Sequence, residues 1–506
     1  MKSHFIRFEI FVMLLTVLFN SSDLSAAGPK REMRGVWLTT VWGIDWPSVT
    51  GSSQKVCRQQ QDELKALLDR CQAANLTSVF FQVRGMADVM YESSLEPWSA
   101  FVSGKRGVSP GWDPLKFAVE ECHRRGLECY AWVNPFRWSS GIDYNSVPDR
   151  RWKEQGWLLT YGKYTVFNPG LEAVRQHVVD ICREIVSGYD IDGLVFDDYF
   201  YPNRIPEDSS APDYDLWQAE APWMTFGDWR RANVHKTVAD VHALVSDLKP
   251  GLRFGISPAG IAGKKHTSAP KWGMTGCEVK GDDWQYSEIY SDPLGWLYQG
   301  TVDFISPQIY WPTTHAVAPY EPLARWWSEA ANFYGRHFYA SITLAPLDKR
   351  NTNSERQELL RQIGINRDSS LDGDQGTVLY SAKHLYKLAS DLTKSPFALK
   401  SLTPQVRRGS SLDPVEAPTA LRLKGGVLSW HGKGNAAAPV RYAVYAFPKN
   451  LPHDELVEEN GDGLRACYLL GVVYGEEFRV DLPGSYSYAV TALDGFSAES
   501  EPVFLK

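Results

Sequence analysis

Eight short apolar runs, each followed by a longer segment whose apolar residues recur every three or four positions, constrain this chain more than any other feature. The runs fall at residues 33–40, 77–84, 127–134, 191–197, 253–257, 302–310, 337–343 and 376–381. The helix-period segments fall between and after them, at 54–74, 113–125, 171–187, 228–248, 287–299, 321–334, 354–363 and 382–392. A nearly continuous apolar run is what a parallel strand buried on both faces looks like. Eight strand–helix units in series therefore predict an α/β fold in which the sheet closes on itself, a (β/α)8 TIM barrel. Helix starts carry capping chemistry: Asp113-Pro114 puts proline in the first turn, and Ser354 precedes Glu355 and Gln357.

At 506 residues the chain is too long for one core. The barrel is assigned to residues 29–396, which exceeds the roughly 250 residues typical of the fold. Its surplus lies at 135–170, 200–227 and 258–286, stretches rich in Trp, Pro and Gly that follow strands three, four and five and are read as the walls of a cleft. A polar linker is expected at 397–414. Residues 415–506 change to short alternating strands and predict an all-β sandwich resembling a fibronectin type III module, with Trp430 as its core tryptophan. At the other end, Lys2 and Arg7 precede an apolar stretch from Ile10 to Phe19 and the small residues Ser25-Ala26-Ala27, the pattern of a signal peptide over residues 1–27. The stretch is short for a membrane span. The expected mature chain is exported, periplasmic or extracellular, with no transmembrane segment. A net charge of −7 argues against a nucleic-acid partner. Seven scattered cysteines fit neither a disulfide framework nor a zinc site and are read mostly as buried small hydrophobes.

The fourth run ends in chemistry. Ile191-Asp192-Gly193-Leu194-Val195-Phe196 leads into Asp197-Asp198-Tyr199-Phe200-Tyr201-Pro202, two adjacent carboxylates followed by rings. Carboxylates serve acid/base work at a glycosidic oxygen, and flat rings hold the C–H faces of sugars. Strand alternation puts Val195, Asp197 and Tyr199 toward the barrel interior and Leu194, Phe196 and Asp198 toward the helices, so Asp197 is the first choice of catalytic group, and Asp198 the second because strands twist and fray at their ends. A calcium loop or a helix cap is the bland alternative. Two like charges in a partly dry site push one pKa upward and keep one acid protonated. Asp45, Asp88, Glu278, Asp282 and Asp283 are candidates for a further carboxylate. A metal-dependent hydrolase would need His and Asp at strand ends, whereas His235 and His242 lie on a predicted helix; neither metal nor cofactor is expected.

The chain also resembles the glycosyl-hydrolase-like family 10 barrel. The resemblance rests on Arg34-Gly35-Val36-Trp37 with Asp45-Trp46-Pro47, Phe81-Gln82-Val83-Arg84 with Met86-Ala87-Asp88, and Ala131-Trp132-Val133-Asn134-Pro135-Phe136-Arg137. It continues through the Asp197-Asp198 segment, Phe254-Gly255-Ile256-Ser257-Pro258, and Ile305-Ser306-Pro307-Gln308-Ile309-Tyr310-Trp311. It implies a glycoside hydrolase acting on a bacterial envelope glycan, in particular peptidoglycan strands containing N-acetylhexosamine and stripped of peptides. The matched residues sit at predicted strand ends and are read as substrate-binding: Trp42, Arg84, Asp88, Asn134, Arg137, Tyr199, Gln308, Tyr310 and Trp311. Arg84 is equally read as a structural salt bridge and Asp88 as a loop cap. Alternation pairs Gln308 with Tyr310, and Trp311 is read as a ring platform. The partner is an oligosaccharide or polysaccharide, and a non-catalytic glycan-binding protein on the same barrel is the alternative.

Overall fold

A computed structural model describes residues 28–140, 150–370, 375–407, 414–432, 441–482 and 484–506, so the expected signal peptide lies outside the described residues. Eight parallel strands close into a barrel: β1 (Met33–Leu38), β2 (Ser78–Arg84), β3 (Glu128–Val133), β4 (Gly193–Phe196), β5 (Arg253–Ile256), β6 (Phe304–Ile305), β7 (His337–Thr343) and β8 (Gly376–Tyr380). Each pairs with its neighbours in sequence, and β8 closes on β1. Helices α1 (Gln54–Ala73), α2 (Pro114–Arg124), α3 (Glu172–Gly188), α4 (Phe226–Leu248), α5 (Pro293–Gln299), α6 (Tyr320–Phe333), α7 (Asn353–Asp368) and α8 (Ala389–Lys394) follow the strands in turn.

The predicted alternation holds within β4, where Val195 joins the interior cluster with Trp37, Phe80, Tyr130, Trp132, Phe304 and Tyr339. Leu194 and Phe196 join the outer core against the helices. Rings this large fit inside because glycines face them: a Cβ on Gly193 would lie 2.2 Å from the Tyr130 ring, and one on Gly255 2.4 Å from Phe304.

Several expectations are corrected. The run at 302–310 forms a strand only at Phe304–Ile305, because Pro307 has no N–H to extend the ladder; Gln308 makes isolated bridges to Ala259 and Ser341 instead. The helix expected at 287–299 breaks into Trp284–Glu288 and α5, since a residue before proline disfavours the helical region and Asp292 caps the new start by accepting from Gly295 N at 3.2 Å. Residues 382–392 likewise divide into a 3-10 turn, Ala382–Lys387, and α8. The cap of α7 is Thr352, accepting from Glu355 N, rather than Ser354; Asp113 caps α2 as read, accepting from Lys116 N at 2.9 Å.

Beyond the barrel, seven strands form two antiparallel sheets. One contains β9 (Thr419–Lys424), β10 (Val427–His431) and β13 (Glu477–Arg479); the other contains β11 (Arg441–Pro448), β12 (Leu469–Val473), β14 (Tyr486–Leu493) and β15 (Val503–Phe504). This unit docks on the floor of the barrel, at the amino-terminal ends of the strands. The described part of the expected linker is seam rather than tether: Phe397, Leu402, Thr403 and Val406 are buried, and Leu402 exchanges backbone hydrogen bonds with Lys30 and Glu32. At its centre Glu128 of β3 meets Arg253 of β5 and Arg441 of β11, and accepts from Thr403 Oγ1 at 2.7 Å. Burial alone would raise the Glu128 carboxyl, but the two guanidinium groups hold it down at about 2. Beside it, Tyr474 stacks on His123 with ring centroids 3.7 Å apart and donates to Asp192 at 2.8 Å. Among the described residues all seven cysteines are free thiols, five of them buried, and no helix is long and apolar enough to cross a membrane.

Candidate active site

The carboxyl ends of β3 and β4 build the centre of the mouth. Asp197 follows the last paired residue of β4 and is 3% exposed. Its two oxygens are each held by a donor from β3 or its exit: Trp132 Nε1 donates to Oδ2 at 3.1 Å and Asn134 Nδ2 donates to Oδ1 at 2.7 Å. The Asn134 carbonyl oxygen in turn accepts from the backbone N–H groups of Phe136 and Arg137, at 3.2 and 2.7 Å. One amide thus fixes both the carboxylate and the turn that carries Arg137. Burial raises the Asp197 carboxyl above the ordinary aspartate value, opposed by Arg137 and by the two side-chain donors.

Asp198 does not turn toward the helices as strand alternation predicts, because the strand has already ended at Phe196. It lies beside Asp197, partly open to solvent and in hydrogen-bond contact with Gln308. Burial and then the neighbouring Asp197 charge push its carboxyl up to about 7. Rings surround the pair. Tyr199 is 48% exposed and Trp42 43%, and the Arg137 guanidinium lies 4.5 Å from the Tyr199 centroid and 5.8 Å from that of Trp42. Tyr310 and Tyr380 stack with centroids 5.7 Å apart, close enough to Asp198 and Tyr199 that those charges help raise the Tyr310 phenol, after burial itself. The structure therefore brings Trp42, Asn134, Arg137, Asp197, Asp198, Tyr199, Gln308 and Tyr310 together.

Three residues fall elsewhere. Arg84 is buried and its fork is filled by Glu96, with Nε to Oε2 at 2.7 Å and Nη2 to Oε1 at 2.5 Å, while Nη1 donates to the Asn134 carbonyl. Its fork is thus occupied by the salt bridge. Asp88 accepts from Met86 N at 3.3 Å and lies 3.7 Å from Arg106, so it is the loop cap. Trp311 is half-buried against the outer core, its ring close over Gly260, and none of its described contacts reaches the aspartates.

Nor do the other acids join the pair. Asp45 accepts from Thr39 N at 2.7 Å and Ser381 Oγ at 2.6 Å, tying the ends of β1 and β8. Asp282 pairs with His266 at 2.9 Å, Glu278 is exposed, and Asp283 is buried, accepting from Gly263 N and Thr267 Oγ1. His235 and His242 sit on α4, 3.5 Å from Asp292 and 3.7 Å from Asp303. Sequence reading missed Trp132, Tyr380 and the Glu96–His177 contact at 3.0 Å behind Arg84. Trp132 had a signal, since it alternates with Asn134 on an inward face; Glu96 had none, as it returns from a loop.

Chemically, the mouth offers one carboxyl protonated near neutrality beside a second held by two donors, under rings suited to sugar faces. A family model described as Glycosyl hydrolase-like 10 matches residues 32–355. The chain is 34% identical over 407 residues to Glycosyl hydrolase YngK of Bacillus subtilis (strain 168), covering 78% of this chain and 75% of that protein. It is 31% identical over 388 residues to Glycosyl hydrolase DigH of Escherichia coli (strain K12), covering 71% and 84%. Among solved structures, the glycoside hydrolase domain of PgaB (BpsB) from Bordetella bronchiseptica aligns over 72% of this chain and 98% of that one, with 14% identity and a TM-score of 0.45. With more than half its length matched and both relatives above 30% identity, the chain belongs to the glycosyl hydrolase-like 10 family.

Proposed function

We propose that the protein is an exported glycoside hydrolase that cuts N-acetylhexosamine-containing glycan strands of bacterial peptidoglycan. The observation that carries this reading is the pairing at the end of β4 of two adjacent aspartates in unlike surroundings. Asp198 is the proton donor: its carboxyl gives a proton to the glycosidic oxygen as the bond from C1 to that oxygen breaks. Asp197, ionised and fixed by Trp132 and Asn134, stabilises the positive charge developing on the sugar ring. Water then adds at C1 and its proton returns to Asp198. The N-acetyl carbonyl of the substrate can itself attack C1 ahead of water, so no separate protein nucleophile is required. Gln308 supplies a polar contact for hydroxyl or acetamido groups, Asn134, buried behind the pair, acts by holding Asp197 in place, and Trp42, Tyr199, Tyr310 and Tyr380 supply ring faces.

For the C-terminal unit we propose a fibronectin type III-like brace. Its support is the three-stranded and four-stranded order of its sheets and the buried Trp430 between them.

The test is release of reducing ends from purified, peptide-free glycan strands. Turnover is expected in the wild type, with Asp198→Asn and Asp197→Asn each slower by about 10²- to 10⁴-fold, the usual range for lost acid/base help. Strands bound without any new reducing ends would make the protein a glycan-binding one.

A further inference from the structure

Arg137 differs from the other buried arginines of the molecule. Arg84 pairs with Glu96, Arg230 with Asp213, and Arg253 and Arg441 with Glu128. Arg137 is 5% exposed and anchored by one hydrogen bond, from Nε to the Gly85 carbonyl at 2.9 Å. Among the described residues no carboxylate lies within 4.0 Å of its nitrogens, and its two terminal nitrogens have no hydrogen-bond acceptor. Its terminal nitrogens are not among the buried side-chain atoms left without a partner, so an incoming group can reach the open side of the fork.

Its position says what that something meets. The guanidinium is stacked against the Tyr199 ring and near Trp42, and its charge is felt at Asp197, Asp198 and Tyr380. A ligand reaching it therefore lies across sugar-binding rings and beside the two aspartates. The planar fork matches a carboxylate in two parallel hydrogen bonds. A dianion such as a phosphate ester would meet stronger repulsion from the aspartate pair, which favours a singly charged group.

We propose that Arg137 determines specificity by pairing with a free carboxylate carried on the saccharide, in a peptidoglycan strand the lactyl ether carboxylate that becomes a neutral amide when a peptide is attached. This rests on the hydrolase reading above and adds to it a chemical reason for choosing strands without peptides.

The experiment compares peptide-free strands with the same strands after their lactyl carboxylates are converted to methylamides, scored by reducing-end release. For the wild type, kcat/KM is expected to be about tenfold or more higher on the acid form, as for a site built around a hydrogen-bonded group that the analogue lacks. In Arg137→Gln the ratio of acid to amide should collapse to about one, while Arg137→Lys, which keeps the charge but not the fork, should retain part of it. Equal wild-type rates on both forms would overturn the role of Arg137 and leave the hydrolase reading standing. An unchanged ratio in Arg137→Gln would do the same. Reducing ends from neither form would overturn the hydrolase reading and this assignment together. The wild-type comparison does not depend on any variant folding.

Discussion

Asp198 carries the residue-scale behaviour that is easiest to measure. Its carboxyl is raised by burial and by Asp197 to about 7, so the proton it would give as the proposed acid is present below that pH and gone above it. The kcat/KM profile on glycan strands should therefore fall on an alkaline limb near pH 7, and a flat profile from pH 6 to 9 would remove Asp198 as the acid. Stability follows the same sign. The folded carboxyl titrates above the ordinary aspartate value, so the folded state holds a proton that the unfolded chain has lost, and stability declines as pH rises from about 4 to about 7. Asp198→Asn should then melt at a higher temperature than the wild type at pH 8 while being inactive, which calorimetry would show. Asp197 was legible in the sequence because alternation along an apolar run fixes which face it takes. Asp198 was legible as a candidate but not in its direction, since alternation stops where pairing stops. Arg84 could not be resolved without coordinates, because Glu96 reaches it by tertiary folding of the loop after β2.

Among the elements, the barrel strands owe their packing to glycine facing ring. Gly193 opens β4 under Tyr130, whose hydroxyl donates to Glu128 at 3.1 Å, so the ring has little room to retreat. Gly193→Ala is expected to destabilise by about 1–3 kcal/mol, the usual cost of overpacking, measured by urea unfolding. Unchanged stability would mean that Tyr130 swings aside. Strand and helix periods exposed all eight units in the sequence because each buried face repeats its pattern several times. What they hid were the interruptions at Pro307 and at Asp292-Pro293, where a single imino acid cancels a hydrogen bond that the apolar pattern alone does not register. The mouth loops were visible as long aromatic insertions, but which rings meet the aspartates depends on contacts such as Tyr310 with Tyr380, from elements far apart in the chain.

For the whole molecule, the seam at the barrel floor is where loss of a single charge is expected to cost stability. Arg441→Ala leaves Glu128 buried with Arg253 alone and is expected to cost roughly 3 kcal/mol at pH 7, as for breaking one partner of a buried ion pair. The loss should shrink as pH falls from about 4.5 toward 2, because Glu128, depressed in the fold, stabilises only while ionised. A pH-independent loss of the same size would assign the effect to packing. The two units were legible from the change of sequence texture, and a spacer or a brace packed on the barrel was the reading of the second; what the polar composition of 397–414 hid is that Phe397, Leu402, Thr403 and Val406 are buried in the contact. With the sandwich docked on one end, the buried ion cluster around Glu128 and the aspartate pair lie at opposite poles of the cylinder. Substitutions in the loops around the aspartates should thus leave the fastening beneath intact, a separation of chemistry from anchorage along one axis.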